Sequence, residues 1–293
     1  MDTKNRRFEM HRMTISGLKI GTEYQTLIRD CRKALGELKN VVWEHGGKSH
    51  ALEEVHLVGG DLRLRFLSYK TGYRPDVLDT EDFTIGPNPL APTQTGIDYT
   101  HALLTNRDRW ILIVEKTQGG IFPNTMGLYL NWMLDEARVP PNVKLSTGEE
   151  VVVNIEPEPG EAFIQRIDAL DRVTKASLRI VRPNPGWADL QDTLGEEASE
   201  SNAAQADVTM TAKPRSELKK HAGIVQRIRS LFRSNQLGHA EISGVRNGDH
   251  EKFSTEQLGK KFYRNVPTEP NGQVNETAAY NMMEGIVEQD EAK

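Results

Sequence analysis

The residues best placed to do chemistry are cations. Between positions 213 and 264 stand twelve Lys or Arg against five acids, whereas 189–207 carries six acids (Asp189, Asp192, Glu196, Glu197, Glu200, Asp207) and no Lys or Arg. The whole chain has a net charge of −5, so the basic block is local and not a bias of composition. Clustered Lys and Arg neutralise phosphates and release counterions, which makes a polyanion the simplest partner. Lys213, Arg215, Lys219 and Lys220 open the block, Arg227, Arg229 and Arg233 follow, and Lys260, Lys261 and Arg264 close it. Phe262 and Tyr263 interleave the last group and could stack on bases. The preceding acidic segment could lie over the patch and compete with nucleic acid.

Other chemistries find less to work with. None of the eight histidines (His11, His45, His50, His56, His101, His221, His239, His250) pairs with another at zinc-helix spacing, and Cys31 is the single cysteine. No phosphate-loop motif occurs. Gly119-Gly120 precedes a predicted helix, but Pro123 and Asn124 intervene and no Lys follows where a cradle needs one. Glu149, Glu150, Glu156, Asp168 and Asp171 are the candidates for a metal-dependent nuclease, and His11 beside Arg12 for metal-free acid–base work. No nucleophile elbow is present. The expectation is no catalytic residue, no metal and no cofactor, with Cys31 an apolar filler on a helix.

These residues need elements to hold them. Apolar patterning marks strands at 7–16, 41–45, 54–58, 61–69, 109–116, 150–156 and 171–181, alternating at 7–16 and 171–181 and nearly continuous at 109–116. Helical spacing marks 23–39, capped by Thr22, then 124–137, 161–170, 216–234, and 276–288, capped by Asn275. Gly59-Gly60 and Asn247-Gly248 are hairpin turns, the second joining strands at 239–246 and 251–255. The expected class is α+β, with largely antiparallel sheets, packed helices and two sub-domains. Four segments follow: an N-terminal α+β region at 1–97, a central core at 98–186, an acidic surface linker at 187–212, and a basic helix, hairpin and closing helix at 213–293. A second basic region, Lys4–Arg12 with Arg29–Lys39, could extend the patch.

Met1–Glu9 is polar and the longest apolar run is Trp110–Val114, so neither an export signal nor direct membrane insertion is expected. A single cysteine fits the cytoplasm. From about Arg109 onward the chain resembles the RexA-like exclusion proteins of lambdoid phage and the loosely related KwaB-type antiphage proteins. The resemblance is carried by Trp110–Glu115, the turn and helix at 117–134, Gly148-Glu149-Glu150-Val151, Ile155-Glu156-Pro157, Val173-Thr174-Lys175-Ala176 and the helix at 275–288. It implies a cytoplasmic, DNA-binding, homodimeric sensor or effector of phage exclusion, a non-enzyme acting with a membrane protein encoded nearby. Two rivals stand beside largely sequence-tolerant DNA binding. One is a toxin-like nuclease using residues 149–171 or His11; the other is an interaction module whose basic helix docks on an acidic protein.

Overall fold

One long strand organises the molecule. The structure, a computed structural model, describes residues 2–18, 23–70, 72, 76–78, 80–81, 83–91, 94–107, 109–137, 151–181, 205–234 and 236–292. In β1 (Thr3–Ser16), alternation sends Phe8 and Met10 to one face of the sheet and Met13 and Ile15 to the other. On one side β1 pairs with β8 (Trp110–Lys116), the continuous apolar run of the sequence. On its other side two strands lie end to end: β9 (Val152–Pro157) against His11–Ser16, and β14 (Lys261–Pro267) against Thr3–Glu9. Beyond β8 the sheet continues through β7 (Asp98–Asn106), β4 (Asp61–Tyr69), β3 (Lys48–Val58) and β2 (Val42–His45), all antiparallel. A separate short pair, β5 (Val77–Leu78) and β6 (Ile85–Gly86), lies in the loop between β4 and β7.

Helices cover both faces of this sheet. α1 (Tyr24–Leu35) and α2 (Pro123–Glu136) bury Leu27, Ile28, Met126 and Met133 against Met13, Leu64, Leu104 and Leu112. Cys31 sits in that layer with no exposed surface, and burial, reinforced by neighbouring Asp30, pushes its thiol up to about 12. It is the inert filler its helical spacing predicts. α5 (Glu276–Glu291) covers the opposite face, packing Tyr280, Met283 and Ile286 on Phe8, Leu103 and Ile113. The Asn275 side chain accepts from the Ala278 amide, the cap expected there.

A second antiparallel sheet runs β11 (Gln205–Thr211), β10 (Arg172–Val181), β12 (Ala240–Arg246), β13 (Asp249–Ser254). α3 (Glu161–Ala169) and α4 (Gly223–Arg233) share its own core of Phe163, Ile167, Val173, Ile228, Ile242 and Phe253. The fold is α+β, with antiparallel sheets and packed helices. Among the described residues no helix is long and apolar enough to cross a membrane.

The division of the chain differs from the one expected. Strands from 1–97 and from 98–157 share one sheet, because β4 pairs β7 directly. The second sheet is an insertion between β9 and β14. Met10 marks the junction: its amide donates to Lys260 O at 3.1 Å, and its carbonyl accepts from Glu158 N at 2.9 Å. Gln205–Thr211, within the expected acidic linker, is a strand paired along β10. The rest of that linker, 187–204, lies outside the described residues, as do the Thr22 cap and the Gly148–Glu150 part of the resemblance.

Candidate functional site

The ten cations singled out by sequence separate into groups with different work. The helix expected over 216–234 begins only at Gly223. Residues 212–219 form a loop laid along the start of β10, with Ala212 N donating to Thr174 O and Leu218 N to Val173 O, each at 2.8 Å. Its centre is a turn in which Ser216 N donates to Lys213 O at 2.9 Å, with Pro214 second and Arg215 third. Arg215 takes φ +61°, the left-handed value that the third position of a type II turn demands and that glycine or asparagine normally supplies. The loop thus exposes Lys213, Arg215 and Lys219 to solvent.

β10 adds two more cations to the same corner. Val173, Ala176 and Leu178 point into the core of the second sheet, so Arg172 and Lys175 project from its outer face, both exposed. Lys175 lies opposite Thr211, one residue before the loop begins. None of Arg172, Lys175, Lys213, Arg215 and Lys219 forms an ion pair with another described residue. The loop itself contributes one acid, the exposed Glu217.

Three of the ten are structural. Arg229 is 4% exposed; it donates to Asp168 Oδ1 at 2.5 Å and to Lys220 O at 3.1 Å, tying α4 to the end of α3. A guanidinium so enclosed cannot meet a phosphate. Lys220 caps the carbonyls of Asp168 and Leu170, the end of α3. Lys260 donates to both carboxylate oxygens of Asp290 on α5, each at 2.8 Å. The remainder are dispersed. Arg227 is half-buried, while Arg233 is exposed at the far end of α4, about 15 Å along the helix from Gly223. Lys261 and Arg264 lie on β14 at the edge of the large sheet, with Lys261 donating to Gln257 O at 2.7 Å and Arg264 to Gln289 Oε1 at 2.6 Å.

Most of the second basic region is likewise paired, with Lys39 held by Glu37 and Lys33 exposed on α1. Arg6 pairs with Glu115, Arg7 with Glu9, Arg12 with Glu158 and Arg29 with Asp30, and Arg32 caps the carbonyls of Leu52, Gly36 and Glu53. It does not extend the patch. The nuclease carboxylates also part company. Asp168 holds Arg229, and Asp171 accepts from the Asn247 amide at 2.6 Å. Glu156 packs against Gly238, where any β-carbon would fall 2.3 Å from its carboxylate. Burial, opposed by Arg12 and Arg179, raises its pKa. Glu149 and Glu150 lie outside the described residues.

A family model described as a domain of unknown function, DUF4747, matches residues 108–283, more than half of the chain. The chain belongs to the DUF4747 family. No curated protein matches it. The DUF4747 segment opens at β8 and runs through α2, β9, the whole second sheet, β14 and half of α5, so it contains the entire basic corner. β1, the strand on which the large sheet is built, lies outside it.

Sequence reading found the loop cations but missed Arg172 and Lys175. Alternation from Ala176 and Leu178 signals an outward Lys175, but Arg172 shares that face only through the bulge between Val173 and Lys175, and both are some forty residues from the basic block and across the acidic stretch. Only the pairing of β10 with β11 brings them to it.

Proposed function

We propose that this protein binds nucleic acid through the basic corner formed by Arg172, Lys175, Lys213, Arg215 and Lys219. One observation carries the reading: five exposed cations, without ion-pair partners among the described residues, converge from a strand and a loop that are far apart in sequence. Ion pairs neutralise Arg and Lys over most of the large sheet, whereas here no carboxylate of the described residues pairs with them and solvent-facing phosphates can. The left-handed Arg215 supports it, since a non-glycine residue in that region stores strain that sequences retain where the side chain is needed. Contacts of this kind hold the phosphate backbone and read no bases, so binding is sequence-tolerant, with duplex DNA the leading ligand. We place this activity in the cytoplasm and, following the resemblance to exclusion proteins, in phage exclusion as a sensor or effector.

The test is fluorescence anisotropy with labelled duplex DNA, single-stranded DNA and RNA over a salt series. Five phosphate contacts on duplex DNA give a slope of log affinity on log salt of about −4 to −5. Replacing Lys213, Arg215 and Lys219 together by alanine should flatten that slope by about 3. Wild-type affinity and slope in the triple variant would refute the assignment.

A further inference from the structure

Where the two sheets face each other they leave a cleft of about 820 Å3, remote from the use made of the basic corner. Its floor on the large sheet is Arg7, Glu9 and His11 of β1, with Lys116 at the end of β8 and the first turn of α2. The second sheet closes it with His239, Glu241 and Lys252, and Lys261 stands at the rim.

Two independent features of this cleft suit an anionic ligand. The first is the start of α2. Phe122 occupies the N-cap position and makes no side-chain cap, and Pro123 has no amide hydrogen. The amides of Asn124 and Thr125, which line the cleft, are left without a capping acceptor at the positive end of a 14-residue helix. The second is His11. It is 7% exposed, yet among the described residues neither ring nitrogen has a hydrogen-bond partner, and Glu9 Oε2, 3.8 Å from Nε2, meets it only by charge. A buried imidazole without partners is costly unless something else supplies them.

Charge in the cleft is arranged to accept an anion. Burial pushes the Glu9 carboxyl up, but His11, Lys116 and Arg7 outweigh it and hold the group below its ordinary range. Arg7 meets that carboxylate at 2.9 Å and Lys116 meets the same oxygen at 3.7 Å, so two cations share one carboxylate. Lys116 lies 4.9 Å from the centre of the Phe122 ring, and that ring is 41% exposed at the mouth of α2. An uncapped helix start, a lysine beside it, a histidine without a hydrogen-bond partner among the described residues and an exposed aromatic are the parts that hold a phosphate with a planar base beside it.

We propose that this cleft binds a nucleoside phosphate, with the phosphate at the Asn124 and Thr125 amides, Lys116 and His11, and the base against Phe122. The group can come from a free nucleotide or from the 5′-phosphorylated end of a strand. The cleft and the basic corner are separate sites, so this assignment does not rest on the nucleic-acid reading.

Calorimetric titration of the full chain with AMP, ADP and adenosine tests it, together with anisotropy of 5′-phosphorylated and 5′-hydroxyl oligonucleotides. AMP or ADP should bind and adenosine should not, and Lys116→Met should weaken binding about tenfold or more. His11→Gln should do the same, and because His11 is buried, the half-exposed Lys116 decides if that variant fails to fold. Preference for the phosphorylated oligonucleotide, abolished by Lys116→Met, identifies a strand end; equal oligonucleotide binding with AMP bound identifies the free nucleotide. The alanine triple variant of the corner should bind AMP as the wild type does. Absence of binding by AMP, ADP and the phosphorylated end, or binding that Lys116→Met leaves unchanged, overturns the proposal.

Discussion

Arg215 shows how one residue can set stability against function. Its φ of +61° is a conformation that glycine adopts freely and that costs a side-chain-bearing residue about 1 kcal/mol. The turn around it needs that conformation whatever residue occupies it, because the Ser216 amide must reach Lys213 O. Arg215→Gly should therefore leave stability unchanged or raise it by up to about 1 kcal/mol, the gain being limited by the greater freedom of glycine in the unfolded chain. The same change should weaken nucleic-acid binding and flatten the salt slope by about 1. Urea denaturation and anisotropy on one preparation check both halves. A variant that loses stability would show that the guanidinium has a structural partner in the fold, and unchanged affinity would remove Arg215 from the interface.

Elements decide which cations are available, and this is where sequence reading reached its limit. Alternation, helical spacing and, for β8, a continuous apolar run located β1, β4, β8, β10, α2, α3 and α5 to within a few residues, because each carries a clear apolar pattern into a core. The 216–234 helix was overextended for a physical reason. Leu218 continues the apolar stripe of α4, but it is spent on a bridge to Val173 instead of a helical turn, and Gly223 at φ +57° breaks the helix from the loop. β14 was read as a basic rim, although Phe262 and Val266 face α5, because Lys261 and Arg264 dominate its composition. β11 was masked by acidic neighbours. Charge counted along the chain also cannot distinguish Arg229, which α4 turns inward, from Lys219, which the loop turns outward. Arg229→Ala should accordingly cost about 1–3 kcal/mol, below the full value for a buried pair because Asp168 remains half-exposed to water. Its affinity for nucleic acid, measured where it is folded, should match the wild type, while Lys219→Ala should weaken binding with little effect on stability. Weakened binding by folded Arg229→Ala with an altered salt slope would return Arg229 to the interface.

At the scale of the whole molecule, β9 and β14 are two halves of one strand. Both run antiparallel to β1 in the same direction, with Pro157 opposite His11 and Lys261 opposite Glu9. Glu158 and Lys260 share the position opposite Met10, and Pro159 and Gly259 bridge each other as the chain departs and returns. Residues 159–260 are therefore an insertion at a single register position. Both main cores of the large sheet are built without them: the layer under α1 and α2 ends with Ile155, and the layer under α5 resumes with Phe262. Joining Glu158 directly to Lys261 should restore an unbroken strand along β1 in the register already present, with alternation of side chains preserved. The Arg109–Glu158 pair at 2.8 Å and the Arg12–Glu158 pair at 3.4 Å would remain, while the Lys260–Asp290 pair and the contact of Arg12 with Leu237 O would be lost. The shortened protein should unfold in one cooperative transition with the circular dichroism of a mixed α and β domain, and it should not bind nucleic acid. A shortened protein that stays unfolded would mean that the large sheet depends on the insertion for stability. One that folds and still binds DNA with a steep salt slope would move the interface from the corner of the second sheet to the large sheet, where Lys261 and Arg264 on β14 would be the next residues to replace.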